Sequence, residues 1–153
     1  HTKVLLHQNV HGILFKDKDK TKTFIKKRTD RVDQEAGKYE IAVAGHILSG
    51  ETPEEAIKRE IKEELFNNQR KLPDNISIQK ITTYFNNDLP GNNEIAHLFI
   101  IVCSGPFALQ KEEADDSAWV NWEEFKKDIR DNPSKYAQYS INAVNAYSNL
   151  TQK

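Results

Sequence analysis

Apolar positions along the chain fall into short runs of strand length and, in two places, into stripes at helical spacing. Two β-prone runs, residues 10–15 and 23–27, bracket the low-complexity stretch Lys16-Asp17-Lys18-Asp19-Lys20-Thr21-Lys22. This predicts two strands joined by a charged hairpin loop. A nucleic-acid patch is the sharper reading of the lysines, and Asp17 and Asp19 dilute it. After Arg28 a polar loop runs to Gly37, followed by a short strand from 39 to about 44. Thr52 can cap a helix with Glu55 three residues on, and Pro53 suits the first helical position. That helix is expected to reach about 65–67, where Asn67-Asn68 can take the left-handed termination. Residues 77–86 and 94–103 predict two longer strands joined by the turn-rich stretch 87–93, and 118–120 a further short one. Asn121, with Glu124 three residues on, can cap a helix through about 129. Asn132-Pro133 then opens a last helix, in which Tyr136, Tyr139 or Ser140, Ala143 and Tyr147 recur at helical spacing. The order β-β-β-α-β-β-β-α-α has more hairpins than βαβ units. It predicts an α/β (α+β) domain with a mixed sheet flanked by helices. No repeat or Pro/Gly-rich linker divides the chain, so 1–153 reads as one domain.

Composition narrows the function classes. The 153 residues are 37% hydrophobic and 9% aromatic, enough for one sizeable core. Lys and Arg number 22 against 23 Asp and Glu, a formal net charge of -1. That balance argues against a nucleic-acid polymer or a membrane surface as partner. The longest apolar run, 95–103, is interrupted by His97 and is strand length, far short of the ~20 residues that span a bilayer. A single cysteine cannot form an internal disulfide, which points to a reducing compartment, the cytoplasm. The chain begins at His1 and contains no methionine, so residues are expected to precede it. No signal-peptide pattern shows at its start.

The stretch 44–65 carries the chemistry. On a helical wheel Ile57, Ile61 and Leu65 form one apolar stripe that must face the core. Glu60 and Glu64, four apart, flank the stripe, with Glu63 next round and Lys58 and Lys62 on the other side. Like charges at this spacing repel, and a partly buried Glu64 costs several kcal/mol if ionised without a compensating cation or donor. Hard divalent cations take oxygen ligands of this kind. A solvated acidic helix face is the competing reading of the helix alone.

The residues before the helix shift that weighting. Gly45, five residues, Glu51, seven residues, then Arg59-Glu60-Ile61-Lys62-Glu63-Glu64 resembles the Nudix box, GX5EX7REUXEEXGU with U aliphatic. Every fixed position from Gly45 to Glu64 matches. The departures come at the end of the box (45–67), with Phe66 in place of the last glycine and Asn67 in place of an aliphatic residue. They predict a changed helix exit rather than a lost metal site. The resemblance implies a Nudix-type α/β/α sandwich and a hydrolase that cleaves a diphosphate linked to another moiety, with Mg2+ or Mn2+ as cofactor and metal-activated water as nucleophile. Carried over by position, Glu60, Glu63 and Glu64 would bind metal, with Glu63 open to a second ion or to polarising water. Arg59 would orient a carboxylate such as Glu51, and Gly45 would serve the loop turn. Helix carboxylates four apart can hold ions that neutralise phosphate charge and activate water.

A finer resemblance runs through His7-Gln-Asn-Val-His-Gly-Ile-Leu-Phe15, Lys27-Arg28, Gly37–Ile41 and Ala44-Gly-His-Ile47. These look like the Nudix branch related to type 1 isopentenyl-diphosphate isomerase, in which histidines and glutamates bind metal. His7, His46 and Glu94 fall at matching positions. The isomerase also needs a cysteine immediately before the Gly-His pair, where this chain has Ala44. Cys103, in a predicted strand, reads as a core residue. With the box glutamates intact, hydrolysis is favoured over isomerisation, and a non-catalytic ligand-binding module is the third reading.

Other residues carry two readings each. His46 is a metal or phosphate contact or a loop-packing group. His7, His11 and His97 read as structural, since strand histidines usually satisfy hydrogen bonds. Glu94 is a second-site ligand, a general base, or an edge-strand charge. Arg28 clamps a phosphate or forms a surface ion pair. Trp119 and Trp122 read as packing against the C-terminal helices (about 121–150), with base stacking as the alternative. The expected partner is a small-molecule diphosphate, nucleoside- or isoprenoid-type, and a homodimer stays open.

Overall fold

A computed structural model describes residues 6–28, 37–68, 71–89, 92–109 and 116–151. The polar loop expected over 29–36, and positions 90–91 of the turn-rich stretch, lie outside the described residues. In chain order the elements are β1 (Leu6–Phe15), β2 (Lys22–Lys27), β3 (Tyr39–Ile41), β4 (Val43–His46), α1 (Pro53–Phe66), β5 (Ser77–Leu89), β6 (Asn92–Val102), β7 (Ala118–Asn121), α2 (Trp122–Asp131) and α3 (Gln138–Thr151), with a 3-10 turn (Pro133–Lys135) before α3.

Among the described residues the strands form one mixed sheet, ordered β3-β2-β1-β6-β5, with β4 on β1 and β7 on β2. β1 runs parallel to β6 from Leu6↔Asn93 to Phe15↔Val102, and the other pairings are antiparallel. The near-continuous apolar run of β6 follows from its place between β1 and β5, covered on both faces. β5 and β6 are longer than their apolar runs suggest. After a register shift at Asn86 the ladder resumes at Leu89↔Asn92, so backbone pairing claims most of the turn-rich stretch.

The expected single strand 39–44 is two strands. β3 pairs with β2 through Ile25↔Ile41 and Lys27↔Tyr39, whereas β4 pairs with β1 from Asn9↔His46 to Gly12↔Val43. β1 meets β2 only near its end, at Phe15↔Thr23. The sheet therefore parts between β4 and the β2–β3 pair, and the chain crosses from one to the other at Ala42. The last helix is also later than expected. Asn132-Pro133 opens only the 3-10 turn, because Tyr136 is extended (φ -121°, ψ 146°) and Ala137 N–H bonds to Tyr39 O at 2.9 Å. Residues 136–137 thus partner the open edge of β3, and α3 begins at Gln138.

Side-chain alternation splits the core into two layers. Val10, Leu14, Phe24, Val43, Phe99 and Ile101 pack under the Ile57–Ile61–Leu65 stripe of α1. Ile13, Phe15, Ile25, Leu98 and Ile100 pack under α2 and α3, against Trp122, Phe125, Val144 and Tyr147. Helices on both faces of the sheet make an α/β/α sandwich. Trp122 packs with Phe15 and Tyr147 as expected. Trp119 does not meet the C-terminal helices: its ring lies 5.1 Å from Phe24 and 6.0 Å from Phe107, in the α1 layer. Its even register with Phe24 on β2–β7 puts it on that face. Cys103 is buried and free. No helix among the described residues is long and apolar enough to cross a membrane.

Candidate active site

α1 begins where its capping signals place it. Thr52 Oγ1 accepts from Glu55 N–H at 3.1 Å, and Glu55 Oε1 accepts from Thr52 N–H at 3.0 Å. It ends with Asn67 and Asn68 both left-handed (φ 49° and 58°). Phe66, in the place of the box's last glycine, is buried against Phe107, so the asparagines take the turn and the phenylalanine joins the core. With the stripe inward, the side chains of Glu60 and Glu64 stand at its border, 12% and 24% exposed, while Glu63 is 41% exposed.

Arg59 organises the acidic edge. Its Nε and Nη2 donate to the two oxygens of Glu51 at 2.8 and 3.0 Å, the bidentate fork expected of a guanidinium. Nη2 also donates to His46 O at 2.8 Å, and Nη1 to Glu60 Oε1 at 2.7 Å and Glu63 Oε2 at 3.4 Å. Hydrogen bonds from Arg59 and then from Leu48 N–H hold Glu51 down to about 2. Its bond to Glu51 in turn holds Arg59 above the usual guanidinium value. Burial pushes Glu60 upward against the pull of Arg59.

Gly45 does not serve a turn. It lies in β4, paired with Val10, and a Cβ there would stand 2.3 Å from the Glu60 carboxyl. Bare backbone is what lets β4 and the helix carboxylate approach. One residue back, Ala44 N–H donates to Glu64 Oε2 at 3.0 Å. Burial pushes Glu64 up to about 7; Lys26 opposes that shift and Glu60 reinforces it. Lys26, 2% exposed, donates its Nζ to Glu64 Oε1 at 3.4 Å. The sequence reading missed this residue, although alternation from Phe24 puts Lys26 on the α1 face.

The histidines form a separate group. On β1, β4 and β6 the pairs His7↔Glu94, Asn9↔His46 and His11↔Ala44 share the face opposite Gly45 and Val10. His46 is exposed, its Nδ1 2.6 Å from Asn9 Oδ1, and its ring centroid lies 6.2 Å from that of His7. Glu94 is no edge-strand charge: β6 has neighbours on both sides, and the residue is 8% exposed. Its Oε1 lies 3.2 Å from His11 Nε2. Burial alone would raise Glu94, yet His11, Asn9 and His46 hold it below the usual range. His11 Nδ1 meets Tyr84 Oη at 2.9 Å, and His97 Nε2 meets Gln8 Oε1 at 3.0 Å. Both therefore have the hydrogen-bonding roles expected of strand histidines. Arg28 Nη1 donates to Glu40 Oε2 at 2.9 Å, and Tyr139 Oη donates to the same oxygen at 2.5 Å.

The structure thus brings Glu51, Arg59, Glu60, Glu63 and Glu64 together and sets His7, His46 and Glu94 on the other face of the sheet. Among the described residues no three ligating side chains already stand in a metal-holding arrangement; Arg59 and Lys26 hold the box carboxylates instead. The donor set is nevertheless all oxygen, anionic and in part desolvated, which suits a hard divalent cation.

The NUDIX domain family model matches residues 5–139. Nudix hydrolase 3 of Arabidopsis thaliana is 28% identical over 146 residues, covering 89% of this chain and 18% of that protein. The chain therefore spans less than a fifth of that relative's length. Among solved structures, DR0079 from Deinococcus radiodurans matches with a TM-score of 0.72 at 17% identity, covering 92% of this chain and 82% of that one. A MutT protein from Methanosarcina mazei matches at 0.65 and 17%, covering 97% and 96%. The E. coli ORF135 protein matches at 0.64 and 20%, covering 96% and 91%. These likenesses show a shared fold.

Proposed function

The chain belongs to the Nudix domain family, and from that premise we propose that it is a Mg2+- or Mn2+-dependent hydrolase of a small diphosphate, nucleoside- or isoprenoid-type. The observation that carries the reading is the pair Glu60 and Glu64. They stand one helical turn apart on a rigid element, both pushed toward protonation by burial. Bare backbone faces Glu60 and a backbone N–H steadies Glu64. Glu60, Glu63 and Glu64 would hold the cation. When bound there, it would supply charge neutralisation for the phosphates and a lowered pKa for water. Arg59 keeps Glu60 and Glu51 in place, and its contact with His46 O ties the end of β4 to the helix. Glu63, the most exposed of the three, is the carboxylate best placed to take a proton from water.

The Gly45-His46 pair and His7 support the likeness to the isopentenyl-diphosphate isomerase branch. Ala44 weighs against isomerisation, since a methyl group neither donates nor accepts a proton and its N–H is engaged by Glu64. Glu94, His46 and His7 are a second candidate ligand set on the opposite face, and a phosphate would have to compete with Glu40 for Arg28. The free, buried Cys103 supports a reducing compartment, the cytoplasm. The test is a panel of nucleoside and isoprenoid diphosphates with Mg2+ or Mn2+, comparing wild type with Glu64→Gln. The amide keeps the shape of the carboxyl and removes its charge, so turnover should fall on the order of a hundredfold or more. Equal rates in the two proteins would overturn the role given to Glu64.

A further inference from the structure

Lys26 is the one lysine or arginine among the described residues that is buried, and it lies outside the box. Its ladder partner across β2–β3 is Glu40, but Glu40 Oε2 already accepts from Arg28 and Tyr139. The ammonium turns instead to Glu64, at a distance at the long end for a charged hydrogen bond. Ala44 N–H binds the other oxygen of that carboxylate more closely, at 3.0 Å. Glu64 is therefore steadied on Oε2 by backbone and held loosely on Oε1 by a tethered cation. A half-buried carboxylate and a buried ammonium are each costly alone and tolerable together.

We infer that Lys26 is a positioning residue that serves as the acidic site's built-in counter-cation. It keeps Glu64 compensated while no metal is bound, and it competes with an arriving divalent cation for Glu64 Oε1. The inference rests on the metal-site reading above and deepens it, because cation affinity then depends on a strand residue as well as on the helix carboxylates. Metal entry replaces the Lys26–Glu64 contact, and the ammonium left beside the cation repels it at short range. Evicting the lysine charge trades stability of the metal-free protein for tighter cation binding.

The experiment is calorimetric titration of Mn2+ into metal-free wild type, Lys26→Met and Lys26→Gln, with thermal unfolding of each with and without Mn2+. Methionine retains most of the lysine stem and removes the charge. Mn2+ should bind both variants more tightly than wild type, on the order of tenfold. The metal-free variants should melt lower, and Mn2+ should raise their melting temperatures by more than it raises that of wild type. A structural ion pair with no bearing on the cation would lower stability without changing Mn2+ affinity. If a variant does not fold without metal, Mn2+ should restore cooperative unfolding. Unchanged or weaker Mn2+ affinity in both variants, or failure of Mn2+ to restore folding, would overturn the inference while leaving the metal site standing. A wild type that binds no Mn2+ would overturn the metal-site reading and this inference with it.

Discussion

Gly45 lies in β4 without the positive φ that Gly50 adopts at 81°, so backbone freedom is not what it supplies. Its missing side chain is the space filled by the Glu60 carboxyl. In Gly45→Ala the three atoms nearest the new Cβ all belong to the end of the flexible Glu60 side chain, which can move, so the fold should survive. Glu60 should be pushed off its 2.7 Å contact with Arg59, with Mn2+ affinity falling on the order of tenfold. Calorimetry alongside a melting curve checks this; an unchanged affinity would show that Glu60 is not where the cation binds. Residues whose partners are close in sequence were legible in advance. Glu51 and Arg59, eight apart, both fall on fixed positions of the Nudix box, so the resemblance implied their pairing before the fold was known. Lys26 and Glu64 are 38 residues apart. A partly buried Glu64 called for a compensating cation or donor, but nothing local pointed to Lys26.

At the scale of elements, α1 was readable to within a residue because its ends are chemical: a reciprocal Thr52–Glu55 cap, Pro53 at the first position, and left-handed asparagines after Phe66. The C-terminal helices were less so, because tertiary contacts shape their junction. Asp128 on α2 gathers it. Its Oδ1 accepts from Asn132 Nδ2 at 2.7 Å, and its Oδ2 accepts from Lys135 Nζ at 2.7 Å and from Tyr136 Oη. Those donors, Lys135 first, hold Asp128 down to about 2. Between that value and the ordinary carboxylate value the unfolded chain binds more protons than the folded one. The contribution is therefore fully present above about 3.8 and lost as pH falls toward about 2. Asp128→Asn should be less stable than wild type at pH 7, and the gap should close as denaturation curves are taken from pH 4 down to pH 2. A gap independent of pH would mean that the packing of the turn, not the charge of Asp128, stabilises the junction.

The whole molecule is a sheet that divides, and the candidate site stands at the division. Most strands followed from apolar runs, though 39–44 divides into β3 and β4; the mixed sheet flanked by helices followed from element order, and its α/β/α layering from the Nudix resemblance. Which strands pair did not follow, since pairing is decided by partners far along the chain, as β1 with β6 shows. The parting of β4 from β2–β3 also leaves the three-residue β3 short of neighbours. The C-terminal segment stands in for one: Ala137 N–H bonds to Tyr39 O, and Ser140 Oγ accepts from Ile41 N–H at 2.9 Å, 99 residues away. Ile41 and Ser140 are both buried, so water cannot replace that acceptor without opening the structure. Ser140→Ala should therefore cost about 1–3 kcal/mol, a fall of several degrees in melting temperature at this chain length. The loss should be local before it is global. Hydrogen exchange at the Ile41 amide should quicken beyond what the fall in overall stability accounts for, while amides in the β1–β6 ladder change only with global stability. Parallel quickening of both sets would show that α3 stabilises the molecule as a whole and does not pin β3. Selective exposure of Ile41 would show that the far end of the chain secures the strand leading into Ala44 and Gly45, whose backbone meets Glu64 and Glu60.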